Sequence, residues 1–125
     1  GDLVRQFRYA LGRDSIEVGA GALAEGELPA EAARREAREE LGITARHWID
    51  LGQVEEDTSL VRSRGYLFLA QDLEFGEIQP DGTEQIERLK MPLEKAVEKV
   101  MHSEIVHSPS AVLILKAHFH LNRKD

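Results

Sequence analysis

Cysteine is absent from the 125 residues. That excludes a disulfide scaffold, a thiolate zinc site and a cysteine nucleophile together. Long apolar runs are absent too. The longest, Tyr66–Ala70 and Ala111–Leu115, are far too short to cross a bilayer as a helix. Positive charge is in the minority, because 16 Lys and Arg against 23 Asp and Glu leave a net charge of −7. Phosphate-rich partners would be repelled unless a local basic patch intervened, so neither nucleic acid nor an anionic membrane is an expected partner. No charged stretch followed by an apolar run opens the sequence, and the expectation is a cytoplasmic domain. Internal repeats, linkers and low-complexity tracts are missing as well. What remains is an ordinary globular mixture, 42% apolar and 31% charged. Its length suits one domain, residues 1–125, since two cores would leave each half close to the size where independent folding fails.

The pattern along the chain alternates strands and helices. Residues 3–10 read as a strand with one wet face, and Ser15–Val18 as a second. Gly19, Gly21 and Gly26 read as a loop where the backbone must bend tightly. Residues 30–41 are almost all strong helix formers, with Pro29 at the tolerant first turn and Gly42 as the stop. Further strands are predicted at Ile49–Val54, Tyr66–Ala70 and Ile86–Met91, the second having the continuous apolar character of a strand buried on both faces. Asp81–Thr83 marks a turn. A helix is predicted from Pro92 to His102, and another from about Ser110 to Leu121 beyond a break at Ser108 and Pro109. This is α/β or α+β.

The helix at 30–41 carries the unusual chemistry. Ala33, Ala37 and Leu41 form a narrow stripe of apolar residues suited to close packing. Glu36, Glu39 and Glu40 share one edge. Like charges at such spacings cost roughly 0.2–0.5 kcal/mol per pair, and the C-terminal half of a helix also disfavours negative charge. Two readings of that edge stand. It is a solvated face whose repulsion is absorbed by ion pairs, since Glu31 and Glu39 are each four residues from Arg35. Alternatively it holds a cation, in which case oxygen ligands without cysteine select Mg²⁺ or Mn²⁺ over zinc.

The preceding residues bear on that choice. From Gly21 the chain reads GALAEGELPAEAARREAREELGI, which resembles the Nudix box, G-x5-E-x7-R-E-U-x-E-E-x-G-U. Gly21, Glu27, Arg35, Glu36, Glu39, Glu40, Gly42 and Ile43 fall on its fixed positions, and only the aliphatic position departs, being Ala37. So many residue types at fixed spacing make a specific signal. Residues 3–10 look like the strand before the box in ADP-ribose pyrophosphatases and related nucleotide-sugar hydrolases. Glu17–Gly21, Leu67–Ala70, Glu84–Glu87 and the segment from Met91 are similar to that branch in order and spacing. Gly19 stands where the branch usually has proline, which predicts a looser loop entering the box.

The resemblance implies an α+β Nudix fold, a mixed β-sheet between helices (α/β/α), and hydrolysis of a nucleoside diphosphate linked to another moiety. It implies a divalent metal, Mg²⁺ with Mn²⁺ as the alternative, on Glu36, Glu40, Glu39 and the backbone carbonyl of Ala20. Gly21 then lets the loop return that carbonyl toward the helix without Cβ strain. Glu39 doubles as a catalytic candidate. Arg35 and Glu27 are implied to pair and tie the loop to the helix, with Gly21 and Gly42 as structural residues of the motif. Arg8 matches an arginine that contacts substrate, and a planar guanidinium suits a phosphate. Glu17 is the second substrate-binding candidate. Arg8 also reads as an ordinary solvated strand arginine.

The general base of the branch comes from a loop after the box. Glu84 is the best positional match, with Glu87 and Asp81 behind it, and Gly82 stands where a second acid is common. A loop glutamate is equally an ordinary solvated residue. The five histidines read as structural or surface, because His118 and His120 point to different faces of a helix and His102 and His107 flank a loop. Trp48 reads as core or interface.

Three functions remain open: a pyrophosphohydrolase of ADP-ribose or a nucleotide sugar, a Nudix hydrolase of nucleoside triphosphates or dinucleoside polyphosphates, and a non-catalytic nucleotide-binding module. The intact Arg35–Glu40 set counts against the last. Relatives in the branch carry strands upstream of the one at 3–10, so an unpaired sheet edge is expected here. A homodimer, or N-terminal strands outside this sequence, would cover it.

Overall fold

Pro29 and Gly42 bracket the first helix, α1 (Pro29–Leu41), and each does so through its backbone. Proline at the first helical position lacks an N–H that would have no partner there. Gly42 adopts the left-handed conformation, φ 64° and ψ 24°, and its N–H donates to the Arg38 carbonyl at 3.0 Å. Glu31 in the first turn and Arg38 in the last both suit the helix dipole. The computed structural model describes residues 5–11, 14–20, 26–57, 59–60, 62–76 and 91–123.

Four strands follow from the same sequence logic. β1 (Arg5–Leu11) and β2 (Asp14–Ala20) form an antiparallel pair in which Arg5 faces Ala20 and Leu11 faces Asp14. β3 (Ile43–Asp57) leaves directly from the Gly42 cap, and β4 (Arg62–Phe75) returns along it, with Ile43 opposite Phe75 and Asp57 opposite Arg62. β2 also pairs with β4, so the order is β1-β2-β4-β3 and all three pairings are antiparallel. Two more helices stand among the described residues, α2 (Leu93–Met101) and α3 (Ser108–Leu121).

The core is organised by the central run of β4. Leu67 and Leu69 join Ala96 of α2 with Leu113, Ile114 and Ala117 of α3 in one buried cluster. Ile49, Leu51 and Val54 of β3 pack against its margin. Strand alternation sends Phe68 and Ala70 to the opposite face, and they are buried as well. α1 packs chiefly on β3, with further contact to β2 and β4. Its buried residues Ala32, Ala33 and Ala37 stand outside the α2–α3 cluster. Helices thus cover both faces of the sheet, and the fold is α+β. The small residues of α1 let its backbone approach the sheet closely, which fixes the helix that carries the carboxylates. Trp48 is half-buried, edge-on to Phe68 with ring centres 6.4 Å apart.

Several expectations need correction. β3 begins at Ile43 instead of Ile49, because Gly42 turns the chain straight from the helix into the sheet. Gly19 belongs to β2 and not to a loop: it faces Gln6 and Tyr66, so ladders on both sides hold it extended. α3 starts at Ser108, since Pro109 sits in its first turn, where proline is tolerated. Pro92 and His102 cap α2 from outside. The strand expected over 86–91 lies outside the described residues except Met91, which forms an isolated bridge.

Candidate active site

Arg35 is the hub of the α1 edge. Its Nε donates to Glu27 Oε2 at 2.8 Å and its Nη2 to Glu27 Oε1 at 3.0 Å. Such a two-pronged grip suits the planar guanidinium and fixes orientation as well as distance. Glu27 precedes the helix, so this pair ties the approach segment to the second turn of α1. The Glu27 side chain is 13% exposed and that of Arg35 36%, so the carboxylate is the shielded end of the pair. Nη1 donates to Glu39 Oε2 at 3.3 Å, one helical turn on, and Nη2 lies 3.7 Å from Glu36 Oε1, longer than a hydrogen bond. Hydrogen bonding to Glu27 raises the Arg35 pKa above its ordinary value against an opposing effect of burial, and Glu39 adds to the rise. Arg35 therefore stays charged at any ordinary pH.

The two described carboxylates of this edge are not equivalent. The Glu36 side chain is 14% exposed and that of Glu39 57%. Glu39 forms the i, i+4 pair with Arg35 that offsets part of the like-charge repulsion. Glu40 lies in the last turn of α1, and its carboxylate is outside the described side chains. Among the described residues no group of three histidine, aspartate or glutamate side chains is placed to hold a metal. The donor chemistry of the edge nonetheless fits a hard divalent cation, because Glu36 and Glu39 offer carboxylate oxygens and the chain has no thiolate.

The remaining candidates distribute as follows. Ala20 ends β2 and faces Arg5 and Gly65 across its two ladders, while Gly21 is outside the described residues. Arg8 of β1 stands opposite Glu17 of β2, which in turn stands opposite Phe68 of β4. The sheet register therefore brings the two substrate-binding candidates side by side. Asp81, Gly82, Glu84 and Glu87 lie outside the described residues. Two features escaped the sequence reading. The Gly76 N–H donates to the Gly42 carbonyl at 2.7 Å, clamping the end of β4 to the C-cap of α1. His107 caps α3, its side chain accepting from the Ser110 N–H at 3.3 Å. A histidine two residues before a proline was the available signal for that cap, though histidine is a rare choice there.

The NUDIX domain matches residues 3–109. The chain belongs to the Nudix family. Three relatives fall near one branch. An ADP-ribose pyrophosphatase of Bacillus subtilis (strain 168) is 32% identical over 114 residues, covering 90% of this chain and 62% of the relative. An ADP-ribose pyrophosphatase of Mycobacterium tuberculosis (strain ATCC 25618 / H37Rv) is 31% identical over 121 residues, 93% of this chain and 58% of the relative. The ADP compounds hydrolase NudE of Escherichia coli (strain K12) is 33% identical over 93 residues, 73% of this chain and 49% of the relative. The chain thus spans about half to three fifths of the length of these proteins. No solved structure is significantly similar to it. In Nudix terms the Arg35–Glu27 pair joins two fixed positions of the box, and Gly42 is the box glycine that ends its helix.

Proposed function

We propose that this Nudix protein is a metal-dependent pyrophosphohydrolase that cleaves the diphosphate of a nucleoside diphosphate derivative such as ADP-ribose or a nucleotide sugar. The observation that carries this reading is the Arg35 hub. A guanidinium gripping Glu27 with two bonds and reaching Glu39 with a third holds the carboxylate edge of α1 in place. The bond to Glu39 suits a solvated face as well, but such a face needs no two-pronged grip on Glu27 from outside the helix. The two relatives named ADP-ribose pyrophosphatase support the choice of substrate.

In this reading Glu36, Glu39, Glu40 and the Ala20 carbonyl hold Mg²⁺ or Mn²⁺. A divalent ion held by these residues would supply charge neutralisation of the diphosphate and a lowered pKa of bound water. Arg35 and Glu27 keep the helix edge and the approach segment in register. Arg8 and Glu17, side by side in β1 and β2, hold the substrate, the arginine at its phosphates and the glutamate at its hydroxyl groups. Glu84 takes the proton of the attacking water. Water oxygen then bonds to one phosphorus while the bridging P–O bond breaks, giving two phosphomonoesters. The outer strands β1 and β3 of the described sheet offer edges that a second copy would cover, so we also propose a homodimer.

The name of the third relative, ADP compounds hydrolase, favours a broader second reading in which several ADP derivatives are cleaved. A panel of ADP-ribose, nucleotide sugars, dinucleoside polyphosphates and nucleoside triphosphates, assayed with Mg²⁺ by phosphate release through a coupled phosphatase, separates these. The highest kcat/KM is expected for ADP-ribose or a nucleotide sugar. A clear preference for triphosphates, or no cleavage at all, overturns the proposal. Light scattering at micromolar concentration tests the assembly, and an active monomer defeats the dimer.

A further inference from the structure

Away from α1, β3, an outer strand of the described sheet, is deformed where it meets α3. A bulge separates Asp50 from Gln53, and Gly52 within it has φ +97°, a conformation that favours glycine. The Asp50 carboxylate accepts from the Gly52 N–H at 2.7 Å. The Leu51 carbonyl, released from the ladder, accepts from Lys116 Nζ of α3 at 2.8 Å. A β-carbon on Gly52 would stand 3.0 Å from that ammonium. The bulge, the glycine and the lysine therefore fit one another, and together they set Lys116 at the mouth of a groove.

The groove lies between the bulge and α3 and has a volume of about 510 Å³. Ligand sites typically occupy about 300–1,000 Å³ and combine an apolar lining with a few placed polar groups. Leu51, Val112 and Leu115 supply the apolar lining, and Phe119 adds an aromatic ring that is 73% exposed. Lys116, His120 and Arg123 line the same groove. Lys116 and His120, four residues apart, share one side of α3, and Arg123 lies just past the Asn122 cap that ends it. Asp50 is the acid of the lining, and its carboxylate is engaged at Gly52. The helix dipole explains basic residues in the last turn of α3. It does not explain Phe119, whose largely exposed ring meets that of His118 only edge-on, with centres 5.7 Å apart.

We propose that this groove binds a nucleoside monophosphate, or a flat heteroaromatic phosphomonoester of that size, at a site separate from α1. The base would lie against Phe119 and the aliphatic lining, where an aromatic ring offers a stacking face. The phosphate would meet Lys116, His120 and Arg123. A lysine ammonium carries three donors, so the bond to Leu51 leaves two for a ligand. Against the Asp50 carboxylate, Lys116 and Arg123 leave the lining net positive, and the His120 imidazole adds a further polar group for a phosphomonoester. In a chain of net charge −7, such a cluster is the local basic patch that an anion needs.

Adenosine 5′-monophosphate titrated into the ¹⁵N-labelled protein in the presence of chelator tests this without reference to catalysis. Saturable shifts are expected at the amides of residues 51–53 and 112–123. Adenosine alone and inorganic phosphate alone should each bind at least about tenfold more weakly, because each retains half of the contacts. Lys116→Met, which keeps the aliphatic stem, and Phe119→Ala, which alters a largely exposed ring, should each weaken the monophosphate by about tenfold. Shifts confined to α1 and β2, equal binding by inorganic phosphate, or affinity unchanged in both variants would each overturn the proposal.

Discussion

Replacing Gly42 with alanine places a β-carbon on a residue held at φ 64° and ψ 24°. For an L-residue the left-handed region costs roughly 1–2 kcal/mol. Alanine also narrows the unfolded ensemble, which returns roughly 0.4–1 kcal/mol. The difference is a destabilisation of about 1 kcal/mol. Escape by local rearrangement is closed off on both sides, since the Gly42 N–H is bonded to Arg38 and its carbonyl accepts from Gly76 at 2.7 Å. For a domain between the small and medium classes, 1 kcal/mol corresponds to a fall in Tm of about 3–6 °C. Urea denaturation of the wild type, Gly42→Ala and Gly42→Asn measures the effect without relying on heat reversibility. Asparagine enters the left-handed region more readily than alanine, so it should lose roughly half as much stability. An alanine variant as stable as the wild type, or an asparagine variant no better than alanine, would refute a conformational role for this glycine.

Other expectations follow from single contacts. His107→Ala removes the acceptor for the Ser110 N–H and the imidazole partner 2.7 Å from the hydroxyl of that fully buried serine. Losing a side-chain cap costs about 1 kcal/mol, and a lower urea midpoint with an unchanged slope is the expected reading. Arg35→Lys keeps the charge but loses the two-pronged hold on Glu27. Turnover should fall about 10–100-fold, as when residues supporting a metal ligand are altered, and steady-state kinetics at saturating Mg²⁺ would show an unaffected kcat if the anchoring were unimportant. Glu84→Gln should lower kcat with little change in KM; an unchanged kcat moves the base to Glu87 or Asp81.

How far the fold was legible differs by element, for physical reasons. α1 was readable almost to the residue, because helix formers, an N-terminal proline and a terminal glycine all agree. The buried run of β4 was equally plain, since Leu67 to Ala70 are apolar in succession. The start of β3 was not. Thr44, Arg46 and His47 are exposed on an outer strand, so no hydrophobic pattern marks them. The bulge at Gly52 was hidden because its partner, Lys116, lies on a helix far along the chain. Gly19 misled because glycine signals a turn locally, whereas pairing on both sides keeps it extended. At the site, the i, i+4 pair of Arg35 and Glu39 could be read from spacing alone. The pairing of Arg35 with Glu27 could not, because it spans the entry to the helix and came only from the family resemblance.

Diphosphate hydrolysis is proposed to depend on a divalent ion at the carboxylate edge of α1. Hydrolysis of ADP-ribose by the wild type and by Glu40→Gln at saturating Mg²⁺, with excess chelator as the blank, tests it most directly. Wild-type turnover is expected, and it should vanish in chelator. The variant should lose several orders of magnitude while its fold stays intact, because one of three like charges is gone. Near-normal turnover by Glu40→Gln, or full activity of the wild type in chelator, would contradict it.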